Sequence, residues 1–110
     1  MAEFVETLVA RLTPLGSVRA KSMFGGYGIF KDEVMFALVA FDEVYFKMDN
    51  DNRARFEDAN GEPFVYVKDG KSMKMSYWCL PAGVLNDDDV LITWAHVGYE
   101  AALRKRRTKS

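Results

Sequence analysis

The chain carries one cysteine and one histidine in 110 residues. A lone Cys79 cannot close an internal disulfide, which fits a reducing compartment. With His96 as the sole imidazole, a thiolate nucleophile would have to find its base there, and a metal site would need carboxylates to complete it. Charge of one sign is missing too: the formal net charge is −1, so no whole-chain field steers the protein toward nucleic acid or anionic lipid. Long apolar runs are also absent, and the longest, Val34 to Phe41, is far too short to span a bilayer. The amino terminus, Ala2-Glu3-Phe4-Val5-Glu6, is acidic and amphipathic, unlike a secretory signal. The expectation is a cytoplasmic protein with no membrane partner and no cofactor.

What is present supports a single packed domain. Hydrophobic residues make up 49% and aromatics 14%, enough for a core without disulfides or metal. Residues Glu3 to Leu12 place Val5, Leu8, Val9 and Leu12 on one helical face, and Pro14 ends that helix. Val18 to Phe30 reads as one long strand, bulged at Gly25-Gly26. The polar Lys31-Asp32-Glu33 turns it into Val34–Phe41, apolar at both parities as in a strand covered on both faces. Asp42-Glu43 turns again into Val44–Met48, with Val44, Phe46 and Met48 toward the core. A two-residue loop at Asp32-Glu33 pairs Phe30 with Met35, Ile29 with Phe36, Gly28 with Ala37 and Tyr27 with Leu38. One face then carries Tyr27, Ile29, Phe36 and Leu38, and the other Phe30 and Met35 beside Gly28 and Ala37.

A short helix follows, capped by Asp49, Asn50 or Asp51, with Phe56 inward and Gly61 at its end. Asp69-Gly70 between Phe64–Lys68 and Lys71–Tyr77 signals a hairpin on a type I′ turn. Its register pairs Tyr66 with Met73, Phe64 with Met75, Val65 with Lys74 and Val67 with Ser72. Pro81 opens the connection to a last helix capped by Asn86 or Asp87. Leu91, Trp94, Ala95, Gly98, Ala101 and Ala102 form its main inward stripe, and Ile92, His96, Tyr99 and Leu103 a second, roughly 100° around. That second stripe either packs under the sheet or meets a partner protein, including a second copy of the chain. The whole reads as α+β: a two-layer, five-stranded, largely antiparallel sheet in the order α-β-β-β-α-β-β-α, with residues 1–103 as the domain and 104–110 as a basic tail.

The blocks Met23-Phe24-Gly25-Gly26-Tyr27-Gly28-Ile29-Phe30, Val34–Val39 and Tyr45-Phe46-Lys47-Met48 resemble the N-terminal domain of TfoX/Sxy proteins. Arg53-Ala54-Arg55-Phe56, Pro63-Phe64 and Met75-Ser76-Tyr77-Trp78-Cys79-Leu80-Pro81 continue the resemblance in the same order. It implies an α+β fold similar to secretion chaperones and kinship with bacterial regulators of natural competence genes. Full-length regulators of that family carry a second, helical domain, whereas this sequence stops at Ser110. The family defines no catalytic residues to carry over, so the resemblance implies a non-catalytic regulatory module acting through an unidentified protein partner.

Other chemistries rest on single features. The glycines of residues 23–30 invite a phosphate-cradling reading, but no Lys-Ser or Lys-Thr follows them. Cys79 with His96 is the one candidate catalytic pair; a buried thiol beside Trp78 and a helix-surface imidazole explain the same residues. Asp87, Asp88 and Asp89 suit helix capping better than metal binding. Met23, Met35, Met48, Met73 and Met75 fit core packing, with an adaptable binding surface as the alternative. Arg104, Lys105, Arg106, Arg107 and Lys109 are the candidate nucleic-acid contacts, weighed against ordinary cations at a helix C-terminus.

Overall fold

A computed structural model describes residues 2–23, 26–40, 43–80 and 84–108. Three helices and six strands follow in the order α1 (Ala2–Arg11), β1 (Val18–Met23), β2 (Gly26–Lys31), β3 (Val34–Ala40), β4 (Glu43–Lys47), α2 (Arg53–Asp58), β5 (Glu62–Lys68), β6 (Lys71–Cys79) and α3 (Asp88–Thr108). One antiparallel sheet takes all six strands, in the spatial order β1-β2-β3-β4-β6-β5. The expected count of five strands is corrected here. Val18 to Phe30 is not one bulged strand: the chain reverses and Met23 pairs with Gly26 across a hairpin. Phe24 and Gly25, like Asp42, Pro81 and Lys109, lie outside the described residues.

The helices all feed one core. Val5, Leu8 and Leu12 of α1, Phe56 of α2 and Leu91 and Ala95 of α3 join Ile29, Phe36, Val39 and Phe46 of the sheet. Pro14 falls in a 3₁₀ turn, Thr13–Leu15, that closes the first helix as expected. Phe56 is fully buried between Trp94 and Trp78, with ring centroids 5.0 Å and 6.2 Å away. The stop of α2 lies one residue earlier than expected. Asn60 takes the left-handed conformation at φ 61°, while the Gly61 amide donates to the Phe56 carbonyl at 2.8 Å. At the start of α2, Asp49 Oδ1 accepts from the amides of Asp51 and Asn52. The buried Asn52 amide donates to the carbonyls of Lys47 and Val97, tying β4 to α3.

A bulge in β3 decides which side chains face which way. Phe30 pairs with Met35 as expected, but Ile29 then pairs with Ala37, Gly28 with Leu38 and Tyr27 with Val39. Phe36 is the extra residue, and parity inverts across it. Leu38 therefore leaves the layer predicted for it, and Val39 takes its place in the main core. Gly26 is required on the neighbouring strand, because a Cβ there would stand 2.2 Å from the Val39 carbonyl oxygen. Gly98 plays the same part in α3, where a Cβ would meet the Phe36 carbonyl oxygen at 3.0 Å and Lys47 N at 3.3 Å. The long helix consequently lies directly on the backbone of β3 and β4.

Two turns take the type I′ form. Asp69 and Gly70 have φ of 54° and 76°, as the sequence predicts. Asp32 and Glu33, at 51° and 67°, do the same without glycine. That less favourable turn is braced from outside. Lys31 and Tyr99 both donate to Asp32 Oδ2, Arg106 donates to the Asp32 carbonyl, and Arg19 pairs with Glu33.

Candidate functional site

The sheet face away from the helices holds a second apolar cluster. Leu38, Ala40, Tyr45 and Phe64 are buried there, with Met35, Tyr66, Met75, Tyr77 and Cys79 packed around them and no helix residue among them. Strands β3 and β5 are three places apart, about 14 Å in a flat sheet. Met35 and Leu38 of β3 nevertheless line one groove of about 250 Å³ with Phe64 and Tyr66 of β5 and Met73 and Met75 of β6. The sheet is thus curled, and its concave side covers itself. This explains how β3 is buried on both faces without a second layer of helices.

At the end of that groove the surface changes character. Alternation along β4 puts Val44, Phe46 and Met48 with the main core and turns Tyr45 and Lys47 to the other side. Lys47 is only 5% exposed. Its ammonium donates to Ser76 Oγ and lies 5.0 Å from the centroid of the Tyr77 ring. Together with Tyr77, Lys105, Arg106 and Glu33, these residues bound a cleft of about 350 Å³ open to solvent. Met35 and Met75 line both the cleft and the groove, so the two are continuous. Burial pushes the Lys47 ammonium down to about 8, and the neighbouring Lys105 charge adds to the drop while Asp49 opposes it.

The carboxylates around Lys47 are engaged elsewhere. Asp49 receives Arg104 Nε at 2.6 Å and Nη2 at 2.9 Å, and hydrogen bonding from Arg104 holds its carboxyl below the usual range. Glu33 receives Arg19 at 3.0 Å. Among the described residues, no carboxylate forms an ion pair with Lys47. Nothing in Val44-Tyr45-Phe46-Lys47-Met48 marks that lysine as buried, because the groups enclosing it come from β6 and from the last turns of α3.

The residues singled out from sequence fall as follows. Ile92, Tyr99 and Leu103 are half-buried against the main core, Tyr99 edge-on to Phe36 at 6.0 Å, while His96 is exposed. Cys79 packs on the concave face, opposite the helix bearing His96, so the structure does not bring thiol and imidazole together. Burial, with help from Glu43, raises the Cys79 thiol to about 11. Asp87 caps α3 by accepting from the amides of Asp89 and Val90, and Asp88 pairs with Arg11. Met48 belongs to the main core, whereas Met35, Met73 and Met75 line the groove, and a Cβ on Gly28 would touch both Met23 and Met35. Arg104 to Arg107 ride on α3, which continues to Thr108; Arg104 is taken up by Asp49 and Asp51, and Arg106 braces the Asp32 turn.

The open edges of the sheet differ. Edge strand β1 exposes Arg19 and Lys21, the charged kind of edge that discourages pairing. Edge strand β5 exposes Val65 at 44% and Val67 at 62%, on the side opposite Phe64 and Tyr66. These features define an α+β domain with one curled sheet, helices on its convex side and an apolar concave side. The chain belongs to the TfoX N-terminal domain family, whose profile matches residues 10–102. It is 32% identical over 78 residues to the DNA transformation protein TfoX1 of Aliivibrio fischeri, covering 71% of this chain and 37% of that protein. It is 23% identical over 99 residues to Protein Sxy of Escherichia coli, covering 90% of this chain and 47% of that protein. The chain therefore spans less than half the length of these relatives.

Proposed function

We propose that this domain is a non-catalytic bacterial regulatory module that works by contact with another protein, receiving an extended partner segment along β5. The observation that carries this is the pair of outward valines, Val65 and Val67, on an unpaired edge strand. An edge offers a row of backbone donors and acceptors, and alternate apolar side chains give an added strand its register. Lys68, Lys71 and Lys74 at the same hairpin favour a segment with acidic flanks. Kinship with competence regulators, one relative bearing the name of a DNA transformation protein, supports the regulatory part.

The test is a transcript profile of cells producing the wild type or the Val65→Lys/Val67→Lys variant from the same locus. Expected is loss of the regulatory effect by the variant, with its melting temperature and circular dichroism unchanged. A correctly folded variant that regulates as the wild type does overturns the assignment of β5.

A further inference from the structure

We infer that the Lys47 cleft and the groove behind it form a binding site for a small amphiphilic anion, with an acid headgroup at Lys47 and an apolar tail along the concave sheet face. Three observations converge on it. Lys47 is almost fully buried, yet Asp49 and Glu33, the carboxylates around it, are each held by an arginine. Among the described residues its ammonium donates to Ser76 Oγ, which leaves further ammonium donors for an incoming oxygen. Lys105 and Arg106 border the same cleft from α3, so positive charge gathers around one wall. An anion placed there offsets the cost of holding Lys47 charged in a buried position.

The tail follows from the lining. Met35 and Met75 form the wall shared by cleft and groove, and Leu38, Phe64, Tyr66 and Met73 continue it. Methionines adapt to tails of different shape, since their side chains are unbranched and polarizable. A purely polar anion leaves this surface unused, and a neutral lipid leaves the Lys47 ammonium without a counter-charge. The charged groups facing the headgroup position are Lys47 of β4, Lys105 and Arg106 of α3 and Glu33 of the β2–β3 turn, with Asp49 nearby and the Tyr77 hydroxyl of β6 neutral. Only Glu33 and Asp49 are acidic, and both are paired.

The probes are decanoate, decanol and inorganic phosphate, titrated into the full chain below the micelle concentration. Calorimetry is expected to give saturable one-to-one binding of decanoate, at least tenfold tighter than decanol or phosphate at pH 7. Lys47→Met and Lys47→Gln are each expected to weaken decanoate at least tenfold, a change of about 1.4 kcal/mol. A spectrum of the wild type labelled at methionine methyls needs no variant: Met35, Met73 and Met75 should shift with decanoate while Met48 stays. Equal affinity for decanol or phosphate, undiminished binding by folded Lys47 variants, or a response of Met48 without Met35 and Met75 overturns the site.

Discussion

Replacing Lys47 by methionine should stabilise the protein at neutral pH, and the reasoning can be followed in numbers. Lys47 has an ordinary pKa of about 10.5 when unfolded and about 8 when folded. At about 1.4 kcal/mol per pKa unit, the drop bounds the cost of burying the charge at about 3 kcal/mol. The cleft is open to solvent, and screening brings the expected cost to about 1–2 kcal/mol. Because the folded pKa lies below the unfolded one, the lost stability returns as pH rises. Between about 8 and 10.5 the unfolded chain holds a proton that the folded chain has released, so wild-type stability climbs across that window. Methionine keeps the stem and its packing but has no proton to release. Lys47→Met should therefore be about 1–2 kcal/mol more stable at pH 7, with the advantage shrinking above pH 8. Urea melts of both proteins at half-unit steps from pH 6.5 to 9.5 measure this. The Cys79 thiol, raised to about 11, and the Tyr45 and Tyr77 hydroxyls, raised to about 12, act with the opposite sign above their unfolded values. They do so in both proteins and cancel in the difference. A variant less stable than wild type at pH 7, or a difference that does not change with pH, refutes the reasoning. The ammonium would then be held favourably by Ser76 and Tyr77.

Three further perturbations test the frame around the cleft. Glu33→Gly should raise stability by about 1 kcal/mol, or roughly 4–8 °C in melting temperature, because it relieves a left-handed residue and loses only an exposed contact to Arg19. Thermal melts check this, and a drop refutes it. Gly98→Ala should destabilise by about 1–3 kcal/mol in denaturant melts, since overpacking against the Phe36 carbonyl outweighs a gain of about 1 kcal/mol in helix propensity. A double-mutant cycle on Arg104→Ala and Asp49→Ala should show coupling of about 1 kcal/mol at pH 7. Asp49 has a lowered folded pKa, so that coupling is present above its ordinary value of 3.8 and should vanish as pH falls through the folded one.

The local signals in the sequence were sufficient where one short stretch determines the outcome. Asp69-Gly70 set the β5–β6 hairpin and the register from Val65–Lys74 to Val67–Ser72, and Asp87 capped α3. The pairing of Phe64 with Met75 did not carry through, because the β5–β6 register shifts between Pro63 and Val65 and Pro63 meets Trp78. Glycines among apolar residues are ambiguous between a bulge and a hairpin, so β1 and β2 read as one strand. The true bulge, in β3, left no trace because Val34–Ala40 is apolar at both parities and either register buries it. The cationic stretch after Leu103 read as a tail from its charge. Lysine and arginine are good helix formers, and α3 runs through them to Thr108. Lys47 was illegible for another reason: its burial is made by residues distant in sequence, and the local alternation only showed that it points away from Phe46.

The extra residue at Phe36 has a consequence beyond its own strand. Met35 and Leu38 are three positions apart and in a regular strand would look to opposite sides of the sheet. The inserted residue turns both to the concave side, where they form one wall of the groove. The cavity is in this sense a counting effect, created by one residue more on β3 than on β2. Inserting one residue on β2 between Ile29 and Phe30 would give Phe36 a partner, make the ladder regular and turn Met35 and Leu38 to opposite sides, leaving the groove without that wall.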